Sequence, residues 1–522
     1  MVSRLPNPAP PEIVDVFIAR LGAGAVSVAD HDRWLYARDM YPVTLMHYAE
    51  GSLRHFPDLI VHPANTEEVV AVIDLARSFN MPVIPFGAGS GVCGGTMPIR
   101  GGVMLDLKRM HRILEVNDRD LTVRAQAGIM GQTLEMELNR RGFTMGHFPS
   151  SIHCSTLGGW VAARSAGQCS SKYGKIEDMV LGLEFVLPDG TIARTPAVPH
   201  GGAGPSWQQI VLGSEGTLGV VTEATCRIWP APAQRRFLAY EFSDVRTGVE
   251  AMRLVMQNDL RPAAMRLYDP LDTLMVGKSG AEEDSGGSGL MDFIPVQQIE
   301  TRLRTLIPRA FRRTQRFVAG YAEIGNKLEK LSKGECLMVL MFEGETRLTD
   351  YEFEATQHLC DRLGGINRGP EPAMKWFRNR HHVSYKMSKV FYNGAFVDTI
   401  EVAASWTRLP ALYDAVRAAI RPLAFVMAHF SHAYPDGGSI YFTFLSSAPN
   451  ATEAERKHKA IWHAALTAAM AVKATISHHH GIGLSKGEYL RRELGEWFPV
   501  FETLKSVMDA ENRFNPGKLG LA

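Results

Sequence analysis

Apolar residues recur at helical spacing through residues 67–80 (EEVVAVIDLARSFN). The pattern then changes to a short continuous run, Met81-Pro82-Val83-Ile84-Pro85-Phe86, which predicts a buried strand leading into a glycine-rich loop. Strands are predicted next at GGVMLDL, RILEVN and LTVRAQAG, and a helix at QTLEMELNRRG. MVLGLEFVLPDGTI reads as a hairpin turning at Pro188-Asp189-Gly190, and VVTEATCRIW as a further strand. Trp229-Pro230-Ala231-Pro232 marks a domain boundary, because paired prolines interrupt both helix and sheet. Beyond it RRFLAYEF, AAMRLYD, CLMVLMFEGE, AFVDTIEVA and SIYFTFL predict strands. Helical patterns lie between them at VRTGVEAMRLVMQ, YEFEATQHLCDRLG and LPALYDAVRAAI. This alternation predicts an α+β second domain, a mixed sheet with helices on one face. GAEEDSGGSG, residues 280–289, reads as a surface loop, and residues 489–513 as one or two amphipathic helices closed by Asn515-Pro516-Gly517.

At 522 residues the chain is too long for one ordinary core, which favours two domains. A net charge of +1 gives no electrostatic case for nucleic acid or an anionic membrane as partner. Six cysteines without CxxC or zinc-type spacing point to reduced thiols and a cytoplasmic setting. No apolar stretch approaches the ~18 residues of a membrane span, and the N-terminus lacks a signal-type apolar core.

Three glycine clusters carry the candidate chemistry. The first, Phe86-Gly87-Ala88-Gly89-Ser90-Gly91-Val92-Cys93, follows a strand and holds few side chains able to pack. Its glycines would let backbone N–H groups approach a pyrophosphate. It is not a Walker loop, since no Gly-Lys-Ser/Thr follows, and no helix opens at Gly91 as a Rossmann fingerprint requires. The second cluster, Pro149-Ser150-Ser151 through Ser155-Thr156-Leu157-Gly158-Gly159, sets small hydroxyl residues before a helix. The third is Gly213-Ser214-Glu215-Gly216-Thr217-Leu218-Gly219. Any one of them could be a surface turn; three in order make ligand-directed glycines the better reading.

The series PxGxGSG-type loop, STLGGW, SKYGKIED, LPDGT and GSEGTLGVVTEAT resembles the flavin domain of the vanillyl-alcohol oxidase/p-cresol methylhydroxylase (PCMH) superfamily. PSSIHCSTLGGWVAARSAGQCSSKYGKIEDMV and Ser477-His478-His479-His480-Gly481-Ile482-Gly483 most resemble its alkyldihydroxyacetonephosphate (alkylglycerone phosphate) synthase branch. The resemblance implies an α+β fold: a two-subdomain FAD-binding domain over 55–235 after an N-terminal lead (1–54), and a cap with an antiparallel sheet over 236–476. A segment over 477–522 returns to the FAD domain. It also implies a small-molecule substrate and, by family habit, a homodimer. Pro85, Gly87, Ala88, Gly89, Ser90, Gly91, Val92 and Cys93 would hold the FAD pyrophosphate. His147, Pro149, Ser150, Ser155, Thr156, Gly158 and Gly159 would line the flavin, and Glu215, Gly216 and Val221 its adenosine or ribityl side. Some relatives attach FAD through a histidine near Ser90, so the resemblance implies non-covalent binding here.

For catalysis the resemblance points to Tyr441, His478, His479, His480 and Arg266, with Tyr434 as second-choice tyrosine. Alternation along Ser439-Ile440-Tyr441-Phe442-Thr443 puts Tyr441 on one face with Ser439 and Thr443. A metal reading of the adjacent histidines is weak, because sequence neighbours point to different sides; imidazole does suit proton transfer near neutral pH. One departure stands out. The synthase arginine that grips the substrate phosphate falls at Met387, leaving Lys386 or Lys389 as point charges instead of a bidentate fork. Nearby Trp376, Phe377, Tyr385, Phe391 and Tyr392 would suit an apolar or aromatic substrate. Oxidation of such a hydroxylated substrate by hydride transfer to flavin is the first expectation. Synthase-like ether-bond formation is the alternative.

Overall fold

The computed structural model describes residues 5–278, 334–382, 391 and 395–522. Two compact units result. The first comprises Met1–Gly167, Tyr173–Ala231 and His479–Ala522; the second comprises Gln168–Lys172 and Pro232–His478. The architecture is α+β in both.

In the first unit the strands are β1 (Val26–Ser27), β2 (Leu59–Val61), β3 (Val83–Phe86), β4 (Val103–Asp106), β5 (Ile113–Asn117), β6 (Thr122–Gln126), β7 (Phe143–Thr144), β8 (Val180–Val186), β9 (Ile192–Arg194), β10 (Val220–Arg227) and β11 (Trp229–Pro230). They form a small sheet β1-β2-β4-β3, in which β2, β4 and β3 are parallel and β1 is antiparallel to β2, an antiparallel sheet β5-β6-β10-β8-β9, and the pair β11-β7. The helix expected over 67–80 runs Thr66–Ser78. Asn65 caps it by accepting the Glu68 N–H (2.8 Å), and Glu68 accepts the Ala64 N–H in return (2.8 Å). Val69, Val72, Ile73 and Ala76 line its buried stripe against β2, β3 and β4. The β8–β9 hairpin turns through Asp189, whose carboxylate accepts the Thr191 N–H, and Gly190 at φ +90°.

The second unit is built on one seven-stranded sheet: β12 (Gln234–Phe242), β13 (Ala264–Tyr268), β14 (Cys336–Gly344), β15 (Ile366–Gly369), β16 (Ala395–Ser405), β17 (Phe425–Ala433) and β18 (Gly437–Ser447). Their order is β15-β12-β14-β13-β17-β18-β16. Every pairing is antiparallel, which corrects the mixed sheet expected from helix–strand alternation. The helix-linked strands β12 and β13, β14 and β15, and β16 and β17 do run parallel, but each pair is separated by one strand antiparallel to both, so no parallel strands are neighbours.

One sheet face carries Leu238, Met265, Leu340, Ile400, Val402, Phe430, Ile440 and Phe442, all buried under the helices Val245–Gln257, Thr346–Arg362, Leu409–Ile420 and Ala451–Ala471. The register sets Ala239, Val339 and Arg266 level on the other face, then Tyr268, His429, Tyr441 and Glu401. At one end of that second face the helix Glu371–Asn379 packs Ala373 against Ala239 and Val339, so helices are not confined to one side. Further along this face Arg266, His429, Tyr441, Thr399 and Glu401 stand together, and Phe425, Leu445 and Val397 lie in register beyond them. All six cysteines are free thiols. No helix among the described residues is long and apolar enough to cross a membrane.

Candidate active site and cofactor loops

The three glycine clusters converge in the first unit. A Cβ on Gly87 would lie 2.3 Å from Thr156 Oγ1, so the first loop touches the second at a point where only glycine fits. A Cβ on Gly216 would lie 2.9 Å from Pro85 Cγ, at φ +73°, which brings the third loop onto the first. The second and third are tied by N–H bonds from Gly213 to Val161 O and from Glu215 to Ala162 O, each 3.0 Å. Asn515, in the C-terminal segment, donates to both Gly95 O (2.7 Å) and Glu215 O (2.6 Å). That segment is held in turn by Val83 N–H to Arg513 O and Asn515 N–H to Val83 O, both 2.9 Å.

Within the first loop, the N–H groups of Ala88, Gly89, Ser90, Gly91 and Val92 have no hydrogen-bond partner among the described residues. Five consecutive amides without a partner, following a strand, leave their donors available to an anionic group. Thr156 caps the helix Leu157–Ala163 by accepting the Gly159 N–H (3.3 Å), and Ser155 accepts the Trp160 indole N–H (2.8 Å). Gly158 packs against Ala127, whose carbonyl takes its N–H at 2.7 Å. Pro149 accepts the Ile152 N–H, which turns the chain through Ser150.

His147 is enclosed, bonded through Nε2 to Ser165 Oγ (2.9 Å) and packed on the Trp160 ring at 4.6 Å. Burial, with the nearby charge of Lys175, pushes its pKa down to about 3, so it is a neutral imidazole at any ordinary pH. The two oxygens of Glu215 accept the N–H groups of Ile482 (2.6 Å) and Gly483 (2.8 Å). Its carboxylate thus secures the loop that follows the histidine run. Val221 is buried in β10 opposite Phe185. Cys93 O accepts from Leu484 N–H (2.8 Å) and Ser485 N–H (3.1 Å).

In the second unit two polar clusters occupy the sheet's second face and its margin. Tyr441 Oη accepts from Thr399 Oγ1 (3.1 Å), and its ring stacks on His429 with centroids 5.1 Å apart. His429 Nδ1 meets Asp272 Oδ2 at 3.1 Å. Burial raises the Asp272 pKa to about 7 against the opposing pull of Arg266, and burial also holds His429 well below its usual value, helped by Arg266. The Tyr441 phenol is raised by burial, reinforced by Glu401 and Asp398, so it rests as a neutral hydroxyl. The guanidinium of Arg266 lies 5.7 Å over the Trp376 ring. Phe377 packs on Phe237 and under the guanidinium of Arg380.

The second cluster joins Tyr434 to the first of the three histidines: Tyr434 Oη and His478 Nε2 share a hydrogen bond of 3.0 Å. Ser170 Oγ lies 3.2 Å from Tyr434 Oη and 2.7 Å from His432 Nδ1. Glu401 fixes the approach, accepting from Ser477 Oγ (2.9 Å) and from the His478 N–H. The unit boundary falls directly after His478. His479 and His480 belong to the first unit, their rings edge to face at 4.5 Å. Lys386, Met387 and Lys389 lie outside the described residues, as do Tyr385 and Tyr392.

Two family models match the chain: an FAD binding domain over residues 57–196, and the C-terminal domain of FAD linked oxidases over 231–519. The chain belongs to the FAD-linked oxidase family. It is 31% identical over 484 residues to alkyldihydroxyacetonephosphate synthase of Dictyostelium discoideum, a match spanning 90% of this chain and 74% of that one. A solved structure of an alkyldihydroxyacetonephosphate synthase superposes with a TM-score of 0.77 at 26% identity, covering 98% of this chain and 87% of the other. p-Cresol methylhydroxylase shares the fold alone, at a TM-score of 0.71 and 16% identity, covering 98% and 96%. The superfamily, the α+β PCMH-type fold and FAD as cofactor are therefore established.

The first unit fits FAD on its own terms. Gly87 and Gly216 allow the loops to close on one another, and the amides of Ala88–Val92 offer the donors a pyrophosphate needs. Residues that the sequence reading passed over are also prominent. Lys108 donates to Gly87 O at 3.2 Å, Asp39 is enclosed beside Gly91, and Glu401 and His429 flank Tyr441 on the second sheet face. None of them sits in a glycine cluster or a histidine run. For His429 a signal existed in the alternation of FVMAHFSHA, where Phe425, Met427 and His429 share a face.

Proposed function

We propose that this FAD-dependent enzyme oxidises a hydroxylated small molecule, apolar or aromatic in character, by hydride transfer. FAD, held non-covalently, supplies the hydride acceptor. The observation that carries the reading is the hydrogen-bonded pair Tyr434–His478, with Ser170 and His432 behind it. An alcohol carbon can release hydride only as its hydroxyl proton leaves, and this pair offers an imidazole to take that proton through a phenol. Glu401 orients the backbone at His478, so the imidazole is positioned before substrate arrives. Tyr441, resting neutral and held by Thr399, is the hydrogen-bond donor to the substrate oxygen. Trp376 and Phe377 supply apolar surface on that unit.

Tyr434→Phe and His478→Gln should each slow anaerobic flavin reduction by roughly 10²–10⁴-fold, the usual range for loss of a general base, while the proteins retain FAD. Stopped-flow absorbance against total flavin checks this. Reduction at the unaltered rate in both variants would remove the pair from the mechanism.

A second reading, ether-bond formation, is supported by the 31% identity to the synthase, by the His478–Gly483 motif and by Arg266. In it an acyl chain leaves and a fatty alcohol enters without net redox change. Met387, where a phosphate-gripping arginine would be expected, argues against it.

A further inference from the structure

Beside the first glycine loop lies a charged network that neither the glycine clusters nor the proposed reaction accounts for. β3 and β4 are parallel neighbours with Phe86 opposite Asp106, so the end of β4 places a carboxylate level with the residue before Gly87. Asp106 is fully buried and has four contacts. Its Oδ2 accepts from Tyr36 Oη and from Lys108 Nζ at 2.5 Å, its Oδ1 accepts the Lys108 N–H at 2.9 Å, and His62 Nδ1 lies 3.5 Å away. Burial alone would raise the carboxyl pKa; the bonds from His62, Lys108 and Tyr36 and the charge of Lys108 outweigh it and hold the pKa below its usual value. The ammonium so anchored lies 5.0 Å over the Phe86 ring and 5.4 Å over the Tyr36 ring, and donates to Gly87 O at 3.2 Å.

The consequence follows from peptide geometry. In a trans peptide the carbonyl of one residue and the N–H of the next point to opposite sides of the chain. The structure has no cis peptides among its described residues. Lys108 drawing Gly87 O to one side therefore turns the Ala88 N–H to the other, at the head of the run of amides that ends at Val92. A glycine-rich loop left to itself would sample many such orientations, and fixing one before binding removes an ordering cost.

We infer that Lys108, held by Asp106, is a cofactor-positioning residue: it locks the Gly87 peptide so that the amides of Ala88–Val92 are preorganised for the FAD pyrophosphate. The inference rests on FAD as cofactor and holds whichever reaction the enzyme performs.

The test uses full-length apoprotein titrated with FAD by flavin fluorescence quenching. ADP, which carries the pyrophosphate without the flavin, serves as competitor, and melting of the apoprotein is followed alongside. Lys108→Met should raise the FAD Kd at least ten-fold and the ADP inhibition constant by a similar factor; it also lowers the apoprotein melting temperature by leaving Asp106 without its cation, and adding Asp106→Asn should restore that temperature without restoring the affinity. Lys108→Arg, still a donor to Gly87 O, should recover most of the affinity. An FAD Kd within two-fold of the parent for Lys108→Met would overturn the inference. So would weakened FAD binding with ADP unaffected, or affinity that returns together with the apoprotein melting temperature when Asp106→Asn is added.

Discussion

Asp39 shows how much a single enclosed carboxylate can cost. Its Oδ1 accepts the Tyr41 N–H at 2.9 Å, while Oδ2 has no hydrogen-bond partner among the described residues. Burial raises its pKa from 3.8 to about 6, against the opposing effects of the Tyr41 amide and of Lys518. A carboxyl whose folded pKa exceeds its unfolded value favours folding when both states are protonated, and that contribution is lost as pH rises through the folded pKa. For Asp39 the window runs from about pH 4 to about pH 6, and the shift corresponds to about 3 kcal/mol. Asp39→Asn, similar in shape and uncharged, should therefore raise the melting temperature at pH 8 and leave it nearly unchanged near pH 3.5, below the window. A pH-independent difference between the two proteins in thermal denaturation would contradict this. Nothing in the pattern around Asp39 announces it, because a burial penalty is a property of the packed loop and not of its neighbours in sequence.

At the scale of elements, the glycine loops separate into positions that need glycine for packing and positions that leave room. A Cβ on Gly87 would meet Thr156 Oγ1 at 2.3 Å, whereas one on Gly91 would have only Asp39 Oδ2 near it, at 3.7 Å. Gly87→Ala is expected to lower the apoprotein melting temperature and empty the protein of FAD, as the two loops are forced apart. Gly91→Ala should leave the apoprotein melting temperature within about 1 °C of the parent, a difference well below that of a typical destabilising mutation. Differential scanning fluorimetry with flavin quantitation decides it; equal losses in both would refute the packing argument.

The same scale shows what the chain makes legible. The helix Thr66–Ser78 and strands β3, β4, β6, β10, β12, β14 and β18 follow from apolar spacing and caps. β17 is harder to see, since His429 and His432 interrupt its apolar run, yet it is the strand that carries the partner stacked on Tyr441. The antiparallel order of the second sheet is likewise hidden, because strands separated by helices read as parallel units until their pairing is known.

Over the whole molecule, the first unit draws on three stretches of chain and the second on two. Long-range pairing holds the first together: Phe514 bridges to Val83, and Asn515 spans Gly95 and Glu215. Local periodicity cannot anticipate such contacts, and it is the ordered motifs, not the hydrophobic pattern, that point to FAD. Those motifs say less about the reaction; the oxidation proposed above rests on polar residues of a sheet face assembled from β13, β16, β17 and β18 and on the Tyr434–His478 pair. The most direct test of the proposed oxidation is anaerobic mixing of the purified flavoprotein with a panel of aliphatic and aromatic alcohols and 2-hydroxy acids, followed by visible absorbance. The account predicts complete bleaching of the flavin by at least one of them. Flavin that stays oxidised throughout, in protein that exchanges labelled fatty alcohol into acyl-dihydroxyacetone phosphate, would contradict it.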